Sequence, residues 1–286
     1  MGKPIHLLTE RERLLLGRAQ SKIYSEIEGG NDLSIHFYFP KDLAQGEKRP
    51  LILFFNGGAW DRGSVIQFAP HALHFVGTGA ICGLVEYRNK GSHPELCPAD
   101  AVNDAQEAVK FVQEHIDQLG ADPDKLVLIG AGAGANIAGR AVMNLKGSAE
   151  IPSPNAVVMY CPIIDVEKGS FGWEQFSDLS EARKVSLSKG ICSGLPPMLI
   201  IHGTADRLIP VETILEFSKR MIRKKNICEL VQFEGRDQNF FNLNVDPASF
   251  EGVLATTANF LDEQGILKID ENDDSTQVIS WRERDY

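Results

Sequence analysis

The run KLVLIGAGAGANIAGR, from Lys125 to Arg140, constrains this chain more than any other stretch. Its first residues are apolar with strand character, Gly130, Gly132 and Gly134 alternate through a turn, and an alanine-rich segment with helix character follows. The run therefore reads as a strand, a sharp elbow and a helix. Strand-like segments at 34–39, 51–55 and 80–86 precede it. DAVNDAQEAVKFVQEHIDQLG repeats apolar residues at helical spacing and stops at Gly120, and ETILEFSKRMIRKK and FEGVLATTANFLDE do the same later. Alternating β and α units imply a mostly parallel sheet covered by helices on both faces, with a ligand crevice at the carboxyl ends of its strands.

Three more segments carry chemistry. LILFFNGGAWDRGS (Leu51 to Ser64) runs from an apolar strand into a glycine-containing loop. PPMLIIHGTADRLIP (Pro196 to Pro210) is a strand followed by a loop with one acid, and FEGRDQNFFN (Phe233 to Asn242) is a polar turn closing on aromatics. Together with the elbow, over roughly residues 30 to 265, they resemble the α/β-hydrolase superfamily, in its acetyl-esterase and lipase-like branch. In that branch the elbow reads G-x-S-x-G, the oxyanion loop H-G-G-G-W and the base segment E-G-x-x-H-x-F-F.

The resemblance implies an α/β-hydrolase fold with an eight-stranded type of sheet, and it implies roles for particular residues. Gly132 stands at the nucleophile position, Asp206 matches the triad acid, and Gln238 occupies the place of the base. Asn56 replaces the histidine of the oxyanion loop and Ala59 its third glycine. The backbone N–H groups of Gly57, Gly58 and Ala133 are expected to converge there. The positions 132, 206 and 238 follow the nucleophile, acid, base order of the fold.

Ester hydrolysis by this design needs an oxygen nucleophile, a base to take its proton, and a carboxylate to orient that base. Glycine offers no nucleophile, and glutamine is no base near neutral pH. Losing either group costs about 10⁶ in kcat in a serine protease, which would take a median kcat of about 10 s⁻¹ to roughly one turnover per day. Three aligned losses, at Asn56, Gly132 and Gln238, favour a natural pseudoenzyme over random substitution or an engineered inactive variant. Gly130, Gly132 and Ala135 also satisfy a dinucleotide-binding fingerprint, with Glu150 about 20 residues on. That acid should close the second strand, yet Glu150 precedes the apolar run NAVVMYC, so no dinucleotide is expected.

At 286 residues and 43% hydrophobic, the chain suits one well-cored domain over 30–268, preceded by a helical extension over 1–29 and followed by a charged tail over 269–286. Thr9 and Glu12 form a capping box for an N-terminal helix through about Gln20. A net charge of −10 argues against nucleic acid and anionic membrane surfaces. Five scattered cysteines suit a reducing compartment better than a disulfide framework. No segment has the apolar core of a signal peptide or the length of a membrane span, and His6 departs from the myristoylation pattern that begins at Gly2. A cytoplasmic protein is expected, with no cofactor and no metal; a small carbonyl or anionic ligand and a homo-oligomer both remain compatible with the sequence.

Residues 166–196 form a polar, cap-like insertion with Phe171, Trp173 and Phe176 interspersed; in the resembled family this stretch shapes the pocket, and the alternative is a surface insertion anchored by its aromatics. Trp60 is expected to line the pocket, and His71 and His74 to be structural. Three function classes stay open: a pseudohydrolase binding a ligand or partner, a hydrolase or lyase acting through unrecognised residues, and a scaffolding subunit.

Overall fold

Leu51 to Phe55 is apolar at every position, which fits a strand covered on both faces. The computed structural model describes residues 9–27 and 31–268, so Gly2, His6 and the tail from Ile269 lie outside the described residues. Its strands are β1 (Gln20–Ser25), β2 (Leu33–Tyr38), β3 (Arg49–Phe55), β4 (Ile81–Val85), β5 (Ala121–Ala131), β6 (Ala156–Tyr160), β7 (Met198–Gly203) and β8 (Cys228–Phe233). They form one sheet in the order β1-β2-β4-β3-β5-β6-β7-β8. The β1–β2 and β2–β4 pairs are antiparallel and the other five are parallel. This is the mostly parallel, eight-stranded type of sheet that the sequence implied.

The helices are α1 (Glu10–Leu16), α2 (Ala69–Gly77), α3 (Pro98–Glu114), α4 (Ile116–Leu119), α5 (Ala133–Leu145), α6 (Leu179–Val185), α7 (Leu187–Gly190), α8 (Val211–Arg223) and α9 (Pro247–Glu263). Alternate strand residues feed two cores. Leu51, Leu53, Leu126, Leu128 and Ile200 pack with α3, α5 and α8, while Ile52, Phe54, Val127, Ile129 and Ile201 pack with α2 and α9. Among the described residues no helix is long and apolar enough to cross a membrane.

Two expectations change. The capping box of Thr9 and Glu12 is present, but α1 ends at Leu16 with Gly17 as its cap. Residues 20–25, expected within a helical extension, instead pair with β2 as an edge strand. Polar side chains fasten it: Ser21 Oγ lies 2.7 Å from His36 Nδ1, and the Tyr24 hydroxyl donates to the Glu86 carbonyl at 2.6 Å. The helix expected to run to Gly120 breaks at His115, whose backbone (φ −111°, ψ 14°) leaves the helical region and whose ring stacks on Phe111.

The elbow is set by close backbone approach. A Cβ at Gly134 would lie 2.1 Å from the Phe55 carbonyl oxygen, and one at Gly130 would lie 2.4 Å from the Gly134 carbonyl oxygen. Neither could be accommodated without moving main chain. Gly132, between them, has φ 53° and ψ −112°, and a Cβ there would meet nothing within 4 Å. Its N–H donates to the Tyr160 carbonyl at 2.9 Å, and its own carbonyl accepts from Asn136 and Ile163. The outer glycines are thus fixed by packing and the central one by backbone dihedral alone. Gly130→Ala and Gly134→Ala are each expected to destabilise by about 3 kcal/mol or more. Gly132→Ala should cost only about 1 kcal/mol. Urea denaturation of the three variants checks this, and equal losses would contradict it.

His71 is wholly buried on α2, with an edge-to-face contact to Phe250, and its Nε2–H donates to the Phe241 carbonyl at 3.1 Å. Burial outweighs that hydrogen bond and lowers the imidazole pKa from 6.5 to about 3. Between these values the unfolded chain binds a proton that the folded chain refuses, so stability falls as pH drops from 6.5 toward 3. The slope from this residue approaches 1.4 kcal/mol per pH unit, on the order of a few kcal/mol in total. His71→Phe should therefore lower stability at pH 7 yet flatten its decline between about pH 6 and 4. Urea midpoints at several pH values provide the measurement, and an unchanged slope would exclude His71 as its source.

Candidate functional site

The loop after β3 reverses direction within four residues. Gly58, Ala59 and Trp60 have φ of 136°, 52° and 59°, so two residues carrying a Cβ sit in the left-handed region. Asn56 anchors this reversal from below. Its carbonyl accepts the Tyr87 hydroxyl at 2.6 Å, and its amide donates to the Gly57 carbonyl at 2.8 Å. Asn56 is thus a brace within the loop, only 6% exposed. Trp60, expected to line the pocket, is instead core: it is 1% exposed and meets Phe176 edge-on at 5.4 Å. The positive φ at position 60 accompanies this inward placement beneath the segment joining β6 to β7.

A cavity of about 270 Å³ opens where this loop, the elbow and the loop after β8 meet. Gly57, Gly58, Ala59, Arg62 and Gln67 form one wall; Ala131, Gly132 and Ala133 form the floor; Gln238, Asn239 and Phe241 form the other wall, and Phe171 covers part of it. Seven residues singled out from sequence therefore share one cavity: Gly57, Gly58, Ala59, Gly132, Ala133, Phe171 and Gln238. Phe171 reaches it from the cap-like stretch, whereas Phe176 is buried against Trp60, so that stretch both borders the pocket and anchors itself. Arg62, Gln67, Asn239 and Phe241 carried no signal in the sequence reading. Arg62 is the one charged side chain among the lining residues.

The backbone donors do not all converge. Gly57 donates its N–H to Gln67 Oε1 at 2.7 Å, and Gln67 is itself tied to Asn242 at 3.2 Å, so the Gly57 donor is engaged away from any ligand. Among the described residues, Gly58 and Ala133 donate to no protein group. Ala133 also opens α5, whose N-terminus adds positive potential at the floor.

Asp206 lies behind the cavity wall, 8% exposed. Its Oδ1 accepts the N–H groups of Leu208 and Ile209 at 2.8 and 3.0 Å, which fixes the carboxylate. Its Oδ2 is buried and has no hydrogen-bond partner. Gln238 does not supply one; its main-chain N–H donates to Asp237. His202, unnoticed in the sequence, lies 3.8 Å from Oδ2 and donates Nε2–H to the Ile209 carbonyl at 2.9 Å. Burial lowers the His202 pKa against the opposing pull of that carbonyl and of Asp206. Glu150 is exposed, six residues ahead of the start of β6 at Ala156.

Known proteins share this fold. Residues 52–242 match the model of the family described as alpha/beta hydrolase fold. The structure of a thermophilic esterase from the planctomycete Thermogutta terrifontis superposes with a TM-score of 0.81 at 33% identity, covering 90% of this chain and 96% of that one. Its propionate-bound form superposes equally, at 34% identity over 89% of this chain and 97% of that one. A probable isoprenylcysteine alpha-carbonyl methylesterase of Arabidopsis thaliana is 28% identical over 231 residues, 71% of this chain and 47% of the relative. The chain thus spans about half the length of such curated relatives. With more than half of its residues matched, the chain belongs to the α/β-hydrolase family.

Proposed function

We propose that this chain is a pseudohydrolase: an esterase-like α/β-hydrolase that has lost its nucleophile and base and binds a small carbonyl or carboxylate ligand in the inherited cavity. The observation that carries this reading is Gly132, which faces the cavity from the apex of the elbow with open space where a side chain would begin. The cavity offers no hydroxyl, thiol or imidazole among its lining residues, so acyl transfer has no acceptor there. The orphaned Oδ2 of Asp206 supports the same reading, since it is the kind of acceptor a triad histidine would occupy. Five free cysteines support the reducing, cytoplasmic setting expected from sequence.

The ligand class follows from the lining. Free N–H groups at Gly58 and Ala133 and the N-terminus of α5 favour negative charge, while Phe171 and Phe241 supply apolar surface; the Arg62 guanidinium is already paired with Asp61. The propionate held by the similar Thermogutta esterase supports a short carboxylate as occupant.

Hydrolysis of p-nitrophenyl acetate is expected at the chemical background, with no labelling by a fluorophosphonate probe. A kcat above about 10⁻² s⁻¹, within a thousandfold of a median enzyme, would overturn the proposal. Gly132→Ser with Gln238→His should bring measurable short-chain esterase activity while each single variant stays near background, because nucleophile and base act as a unit. Adding Asn56→His completes the oxyanion loop; a folded triple variant no faster than the parent would mean the cavity is built for other chemistry.

Calorimetric titration with propionate should show saturable binding with Kd on the order of 1 mM, modest because so small a ligand contributes few contacts. Ethylammonium of similar size should give no binding. Equal affinity for both would remove the argument for an anionic ligand.

A further inference from the structure

Behind the cavity wall, three side chains from separate parts of the sequence turn toward one another. Cys161 follows β6, His202 lies in β7 and Asp206 in the turn after it; one donor atom from each lies within 4.8 Å of the other two, and all three residues are buried. Asp206 Oδ2 is buried with no hydrogen-bond partner and lies 3.8 Å from His202 Nε2. Cys161 has a φ of 44°, a left-handed conformation that a residue with a Cβ avoids unless its surroundings impose it.

We propose that Cys161, His202 and Asp206 form a binding site for a divalent transition-metal ion of the zinc class, which staples the carboxyl ends of β6 and β7. The donor set is thiolate, imidazole and carboxylate, which suits a borderline-soft ion; magnesium and calcium take oxygen donors instead. Thiolate and carboxylate together carry two negative charges, which a divalent ion balances, so the filled site is neutral in a buried setting. Bond lengths of about 2.0 to 2.3 Å place tetrahedral donors roughly 3.3 to 3.8 Å apart. His202 Nε2 and Asp206 Oδ2 stand at 3.8 Å, and the other separations, none above 4.8 Å, must close by up to about 1.5 Å.

Binding is a ligand exchange without redox change. Cys161 gives up its thiol proton to solvent, its sulfur bonds the metal, His202 coordinates through a neutral nitrogen, and Asp206 coordinates as carboxylate. Coordination through Nε2 replaces its hydrogen bond to the Ile209 carbonyl and moves the ring proton to Nδ1, a buried atom with no acceptor in this structure, a cost the metal bonds must offset. The site shares Asp206 with the triad-acid position and includes none of the residues that line the cavity.

The test is to unfold the purified chain, refold it with one equivalent of zinc, remove loose metal with a chelating resin and measure retained zinc. Wild type should keep close to one ion per chain, while Cys161→Ser and His202→Gln keep less than about a tenth; Cys192→Ser, at an exposed cysteine, should match wild type. Refolding with cobalt should add a thiolate-to-cobalt band in the near ultraviolet, a reading that needs no variant. Zinc at a hundredfold excess over Kd should raise Tm by roughly 5 °C. Refolded wild type without retained zinc and without the cobalt band would overturn the proposal. Equal retention by wild type and His202→Gln would do so too, even if Cys161→Ser failed to fold.

Discussion

The close approach of α5 to the ends of β3 and β5 organises the rest of the molecule. At Gly134 the helix passes so near the Phe55 and Asn56 carbonyl oxygens that a single Cβ would overlap both. At Gly130 the strand comes equally near the first turn of that helix. These contacts force the chain through the left-handed turn at Gly132, bring the helix N-terminus beneath the carboxyl ends of the strands, and leave the crevice where the loops after β3 and β8 can meet. The architecture needs no side chain at position 132. A chain can therefore lose the group that sits there and keep the fold, because the packing constraint falls on its two neighbours.

Electrostatics around the cavity follow from what remains. Asp206 is held by two backbone N–H groups on one oxygen and by nothing on the other, in a buried position where an unmatched acceptor is costly. The cavity itself carries the opposite bias, with unpaired backbone donors and a helix N-terminus at its floor. Two regions of unlike character thus lie back to back: an acceptor-rich buried cluster at the ends of β6 and β7, and a donor-rich crevice in front of it. Gln67 trims that donor set by taking the Gly57 N–H, and in doing so ties the loop after β3 to Asn242.

Much of this was legible in the chain, for local reasons. Gly130, Gly132 and Gly134 announced the elbow because close backbone approach leaves glycine as the sole solution at two of them. Unbroken apolar runs such as Leu51 to Phe55 announced strands covered on both faces, and helical periodicity announced α8 and α9 nearly to their ends. Less legible was β1, whose polar run QSKIYS is held by cross-strand bonds to His36 and Glu86 rather than by any apolar pattern. Trp60 read as pocket lining because it follows the glycine loop; its inward turn depends on two consecutive positive φ angles that no composition encodes.

Sequence by itself therefore determined the fold class, the elbow and the residue types at positions 56, 132, 206 and 238, since each rests on local backbone sterics or on the identity of one side chain. Tertiary structure decided which donors are free, that Gln67 occupies the Gly57 N–H, that Arg62 is the cavity's charged lining group, and that Cys161, His202 and Asp206 meet. Those outcomes join residues 10 to 45 positions apart through strand register and loop direction, for example across the β6–β7 pairing. Hydrogen-bond and coordination geometry is set by distances of tenths of an ångström, and only the packed sheet fixes distances that fine.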